Sequence, residues 1–189
     1  MKRLLRLLLG VLIVMSVGLT TAPAAQAAAT RPYCGIYWGS LAKTGAGPTY
    51  PSASDWVYNV RTGRHTCYDR LVIDVSGPVG AYTVRYVAQV STEGGGFAVP
   101  TRGGAALQIT VMNPGYDPDT GTQTYLYANP DELTNVSGYR TFRQVVWAGT
   151  YEGNSSVGIG VRARLPFRVF VLAGPGSSSR LVVDVAHRW

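Results

Sequence analysis

Histidine and cysteine are scarce in this chain of 189 residues, which holds only His65, His187, Cys34 and Cys67. Zinc needs at least three protein ligands, and two histidines with two mutually paired cysteines cannot readily supply them. Neither a G-x-S-x-G elbow nor an H-E-x-x-H run occurs, so two hydrolase signatures are missing. His187 follows Asp184 by three residues in a strand-like stretch, which sends the two side chains to opposite faces. A Ser-His-Asp arrangement through His187, and with it an uncharacterised hydrolase, is the least supported reading. The sequence points to a protein with no catalytic residues, no metal and no cofactor. No window shows a helical period either, and the single long apolar run lies at the very start.

That start has three zones. Lys2, Arg3 and Arg6 are basic, Leu7 to Leu19 is apolar apart from Gly10, Ser16 and Gly18, and small residues lead up to Ala25-Gln26-Ala27. This is the order of a cleaved secretory signal. The apolar core of 13 residues is too short for a helix crossing about 30 Å of hydrocarbon. A signal peptide is therefore expected at 1–27, cleaved after Ala27, with Ala29 as the alternative site. No cysteine follows directly, which argues against a lipid anchor. The mature form is expected to be secreted and free of a stable membrane-spanning segment.

Cleavage removes three of 17 basic residues and leaves fourteen against ten acidic ones, a balance of +4. The remaining arginines are dispersed along the sequence, not clustered in the stripe that marks nucleic-acid binding. Nucleic acid is thus not an expected partner, whereas weak attraction to an anionic wall or membrane surface is plausible at this charge. An oxidising compartment and an even cysteine count favour a bridge between Cys34 and Cys67. Their spacing fits neither a C-x-x-C redox pair nor a zinc pattern. The bridge would staple an N-terminal segment, 28–64, onto a domain at 65–189.

Short runs rich in Val, Ile and Tyr recur between Gly, Pro, Asn, Asp and Ser clusters, the pattern of an all-β sandwich or barrel. Strands are expected near 35–38, 56–61, 69–76, 81–90, 105–112, 142–149, 157–163, 166–172 and 179–186. Loops are expected over 42–54, 93–104 and 113–129, with a brief helical turn after Asn129-Pro130. Asp117 and Asp119 sit in a turn without the closing Glu of a calcium loop. Most informative is a repeat: Arg70-Leu71-Val72-Ile73-Asp74-Val75 returns as Arg180-Leu181-Val182-Val183-Asp184-Val185. Were the copies antiparallel neighbours centred on Val72 and Val182, Arg70 would face Asp184 and Arg180 would face Asp74, each pair contributing up to about 1 kcal/mol. The alternative is equivalent positions in two related sheets.

The stretch Cys67-Tyr68-Asp69-Arg70-Leu71-Val72-Ile73-Asp74-Val75, followed by Tyr82-Thr83-Val84-Arg85-Tyr86, resembles the opening of an AMIN-like domain. Leu165-Pro166-Phe167-Arg168-Val169-Phe170-Val171-Leu172, Gly174-Pro175 and Arg180 to His187 are similar to that family's end. Gly138 to Val145 and Gly158 to Arg162 also fit the exported, mainly actinobacterial, members. The resemblance covers about 65–189, with a weaker match at Cys34 to Ser40. It implies a β-sandwich of about eight to nine short strands, of the kind attached to exported amidases and secretins. There such domains hold partner domains at the cell envelope, often through peptidoglycan.

By the same resemblance the chain is expected to be a secreted, non-catalytic cell-envelope module. It would bind the wall or localise to it, with cell-wall glycan or an envelope protein as partner. The alternative is a protein-interaction module that recruits an exported partner through an open sheet edge. Aromatic side chains suit glycans and peptides because they join apolar area to a polar handle. Trp38, Trp56, Tyr58, Tyr125 and Tyr127 fall in or near expected loops and are the candidate binding surface. Arg85, with Arg143, Arg162 and Arg168, is a candidate for wall carboxylates or phosphates through its planar fork. Tyr82, Tyr86, Phe142, Trp147, Phe167 and Phe170 lie in expected strands and are assigned to the core.

Overall fold

Alternation of β-branched or aromatic residues with polar ones places every second side chain on one sheet face. In the computed structural model, which describes residues 33–48 and 55–189, that period yields eleven strands. They are β1 Lys43–Gly45, β2 Val57–Arg64, β3 Tyr68–Val75, β4 Tyr82–Val87, β5 Val90–Ser91, β6 Ala98–Val99, β7 Ala105–Val111, β8 Phe142–Tyr151, β9 Asn154–Val161, β10 Phe167–Ala173 and β11 Ser179–Ala186. The signal expected at 1–27 lies outside the described residues.

One sheet has the order β1-β4-β7-β9-β8 and the other β10-β11-β3-β2, with a separate β5–β6 hairpin. Every pairing is antiparallel, and no helix occurs among the described residues. The fold is an all-β sandwich. Its core joins Leu71, Ile73, Leu181 and Val183 of the four-stranded sheet to Val84, Leu107, Ile109, Val157 and Ile159 of the other. Full burial of each such side chain is worth about 1.5–3 kcal/mol. No helix among the described residues is long and apolar enough to cross a membrane.

Several expected boundaries shift for local reasons. Residues 35–38 form no strand, only isolated bridges from Tyr33 to Ile36 and from Gly39 to Phe167. There the left-handed backbone of Cys34 and Gly35, φ 55° and 70°, makes a turn. Lys43–Gly45, expected in a loop, pairs with β4 instead. The expected strand at 81–90 bends out of its sheet after Val87, and β5 then meets β6 from the supposed loop 93–104. After Asn129 the chain makes one turn, with its side chain accepting from Asp131 N at 2.9 Å and its carbonyl from Glu132 N at 3.2 Å. Helix growth stops there because the next backbone groups go to β8: Leu133 N to Val145 O at 2.9 Å and Trp147 N to Pro130 O at 2.7 Å.

The β5–β6 hairpin lies on the outer face of the five-stranded sheet, where Val90 and Val99 pack on Ala106, Val146 and Ala148. Glycine at two positions of β9 permits this approach. A Cβ at Gly158 would press on Val90 and Val146, and one at Gly160 would overlap the Arg102 carbonyl. Gln144 Oε1 fixes the same segment by accepting from Arg102 N at 2.6 Å.

A disulfide joins Cys34 to Cys67, with Cα atoms 6.4 Å apart and a sequence separation of 33. Within the forward segment Trp38 Nε1 donates to Tyr33 O at 2.9 Å, and Phe167 N ties the segment to β10 by donating to Gly39 O at 2.8 Å. Val57–Arg64, within the segment read as N-terminal to the domain, is an edge strand of the four-stranded sheet.

Candidate functional site on the outer face of the four-stranded sheet

The two copies of the repeated strand, β3 and β11, are antiparallel neighbours with Val72 opposite Val182, Arg70 opposite Asp184 and Arg180 opposite Asp74. Extending this register to β10 and β2 gives three cross-strand rows on the outer face. They are Arg168–Asp184–Arg70–Gly63, Phe170–Val182–Val72–Arg61 and Leu172–Arg180–Asp74–Asn59. Charge thus lies across both ends of the face, and its middle is apolar except for Arg61 on the outer strand β2.

Asp184 is fully buried although it points away from the core. Arg70 Nε and Nη2 donate to its two oxygens at 2.6 and 2.9 Å, and Arg168 Nε adds a bond at 2.8 Å. Aromatic rings cover the triad. Arg168 lies 5.5, 5.4 and 5.0 Å from the ring centres of Trp38, Tyr68 and Phe170, and Arg70 lies 5.2 and 5.5 Å from Tyr68 and Phe170. Hydrogen bonding to Asp184 raises the Arg70 guanidinium above its ordinary pKa.

The second copy behaves differently. Asp74 receives Arg61 Nε at 2.8 Å and Asn59 Nδ2 at 3.0 Å, both from β2. The bond to Asp74 raises the Arg61 guanidinium in the same way. Arg180, the expected cross-strand partner, donates instead to the Ala173 carbonyl, and its buried Nε has no partner among the described residues. Between Arg61, Arg70 and Arg180 a groove of about 220 Å³ runs over Val72, Val182 and Leu172. A floor of methyl groups rimmed by the guanidinium N–H groups that Asp74 and Asp184 leave unused can take an apolar or sugar body that carries a carboxylate.

The sequence candidates divide between places. Trp38 packs on Tyr68 at 5.9 Å between ring centres, at the end of this face. Trp56 is half-buried and joined to Ser76, and Tyr58 is exposed at the bulge in β2. Arg85 is exposed on β4, in the other sheet. Tyr125 and Tyr127 are not surface residues as expected. Their loop folds down so that the rings meet Trp147 at 5.0 and 6.0 Å; Tyr125 is 4% exposed, and Tyr127 packs half-buried on the core. Burial pushes the Tyr125 phenol up to about 12. Phe170, assigned to the core, faces outward over the arginines because it shares the face of Arg168 and Leu172.

His187 has a carboxylate partner that sequence spacing missed, because it comes from the neighbouring strand. Its Nε2 lies 3.2 Å from Asp69 Oδ1 and its Nδ1 3.2 Å from the Thr66 carbonyl. Asp69 Oδ2 also accepts Thr141 N at 2.6 Å and Phe142 N at 3.1 Å. Both ring nitrogens therefore face acceptors, and neither faces a hydroxyl or thiol that it could activate. This is a tie between strands. No group of His, Cys, Asp or Glu among the described residues could hold a metal ion.

Fold and site together define a two-sheet module that displays one face of arginines and aromatic rings. The AMIN-like domain family matches residues 55–187, and the chain belongs to that family, a group of cell-envelope related modules. No curated protein matches the chain.

Proposed function

We propose that this chain is an exported, non-catalytic module that attaches to the cell wall by binding peptidoglycan in the groove between Arg61, Arg70 and Arg180. The groove carries the reading: its methyl floor suits the body of a sugar or short peptide, and its guanidinium rim suits peptide carboxylates. Family membership, the signal-like sequence pattern of residues 1–27 and the Cys34–Cys67 bridge support the same setting. Residues 28–189, with the disulfide formed, are expected to stay on purified wall sacculi at low salt. An Arg61→Gln/Arg180→Gln variant with an unchanged near-ultraviolet dichroism spectrum is expected to wash off. Wild-type protein that does not sediment with sacculi would sink the proposal.

A second reading, recruitment of an exported partner along a sheet edge, draws on the exposed Val171 and Leu172 of edge strand β10. Protein that ignores sacculi but captures one envelope protein, and loses it in Val171→Glu, would favour this reading over the first.

A further inference from the structure

We infer that the end of the sandwich next to the disulfide is a second binding site, for an extended polyanion with phosphate or carboxylate groups along its length. Four arginines from separate segments meet there: Arg64 closing β2, Arg140 ahead of β8, Arg162 after β9 and Arg188 after β11. They line two clefts of about 690 and 520 Å³ that share Arg140 and His187. Both volumes fall within the usual range of ligand sites.

The charge of this end is not compensated within the described residues. None of the four guanidiniums forms an ion pair within 4.0 Å among those residues. The acidic residue lining the clefts, Asp69, is 1% exposed and already taken by His187 and two backbone N–H groups. The arginines are nonetheless held in place. Arg162 donates to the His187 carbonyl, Arg188 lies 4.6 Å over the Tyr33 ring and Arg64 lies 6.0 Å over Tyr139. Ring contacts orient a guanidinium without neutralising it, so its fork remains available to an oxyanion. Gathering like charges opposes folding, and an anionic ligand relieves that repulsion.

The shape argues for a chain over a single small ion. The first cleft adjoins the sheet-face groove through His65, which lines both, and adjoins the second through Arg140. The result is a track around the end of the molecule with cations along it. Nucleic acid fits less well, because single-strand binding leans on free aromatic faces for base stacking. Here Tyr33 and Tyr139 are covered by arginines and His65 stacks on Tyr68 at 4.5 Å.

The inference stands independently of wall attachment and is tested with soluble probes: long-chain inorganic polyphosphate and polyglutamate, titrated into residues 28–189 at several salt concentrations. Binding is expected to weaken steeply with salt, as counterion release requires. Arg140→Gln is expected to lower affinity about tenfold at low salt, as loss of a charge-assisted fork does. Arg85→Gln, which removes the same charge from the other sheet, is expected to stay within about twofold. Arg140→Lys keeps the charge without the fork and serves if Arg140→Gln unfolds; it is expected to fall between the other two. Preference for polyphosphate assigns phosphate-bearing polymers as the source, and preference for polyglutamate assigns carboxylate polymers. Absence of binding, equal losses in Arg140→Gln and Arg85→Gln, or tighter binding of duplex DNA than of polyphosphate at equal charge would overturn the inference.

Discussion

Arg180 stands opposite Asp74 across the β3–β11 pair without bonding to it, whereas the equivalent pair, Arg70 and Asp184, is joined at 2.6 and 2.9 Å. The next strand outward makes the difference. Beyond Asp74 lies β2, whose Arg61 and Asn59 already hold the carboxylate; beyond Asp184 lies β10, which adds Arg168.

Asp184→Asn is expected to destabilise the domain by about 3–5 kcal/mol, because it strands two guanidiniums beneath aromatic rings. Asp74→Asn is expected to cost less, since the Arg61 side chain is 50% exposed and water screens that pair. Arg180→Gln is expected to fall within about 0.5 kcal/mol of wild type. Urea unfolding of the three variants checks the order; equal losses at Asp74 and Asp184 would contradict the asymmetry.

Gly160→Ala is expected to cost about 1–3 kcal/mol by overpacking, because the new methyl meets a backbone carbonyl at Arg102, not a flexible side chain. Hydrogen exchange gives a second readout. The Arg102 amide, bonded to Gln144, is expected to lose protection, while amides of β3 and β11 keep theirs.

Breaking the Cys34–Cys67 bridge opens a loop with a sequence separation of 33 and is expected to cost about 3–4 kcal/mol in the chain-entropy model. A double Ser variant is expected to melt lower and to expose Trp38, which a red shift of its fluorescence would report. An unchanged melting temperature would show that the segment is held by its other contacts alone.

Alkaline pH probes the buried ring cluster. Below pH 10 the folded and unfolded chains both keep the Tyr125 proton. Between 10 and about 12 the unfolded chain releases it while the folded chain holds it, so stability is lost as pH rises through that window. Tyr86, also raised by burial, acts in the same direction. Absorbance of tyrosinate is expected to show a late component that shrinks in Tyr125→Phe, whose stability then falls less steeply with pH.

Whether the two copies of the repeat are neighbours was not legible, but the register they take as neighbours was. Period two sets the faces, and reciprocal Arg and Asp positions fix the alignment that β3 and β11 adopt. Which strands flank that pair was not legible, and so Arg61 and Arg168 could not be named as the partners of Asp74 and Asp184. Tyr125 and Tyr127 were misplaced because turn-forming residues mark a loop but not its path. Gly115, where a Cβ would sit 2.9 Å from Trp147, lets that loop lie on the core. His187 was compared with an acid on its own strand, while its partner stands on β3. The arginine end was hidden most completely, because residues scattered from 64 to 188 read as dispersed until the fold gathers them.

The position of β11 has a consequence for how the protein is made. Though last of the eleven strands, it sits inside its sheet between β10 and β3, and the Arg70–Asp184 bond spans 114 residues. Until residues 179–186 have been synthesised, Leu71 and Ile73 are paired on the β2 side alone, without Val183 and Leu181, and Arg70 lacks its carboxylate. Contacts of such long range form late. The four-stranded sheet of the nascent chain is therefore expected to stay incomplete until its last strand is made. Ribosome-bound chains halted before Ser179 are expected to remain protease-sensitive throughout β3.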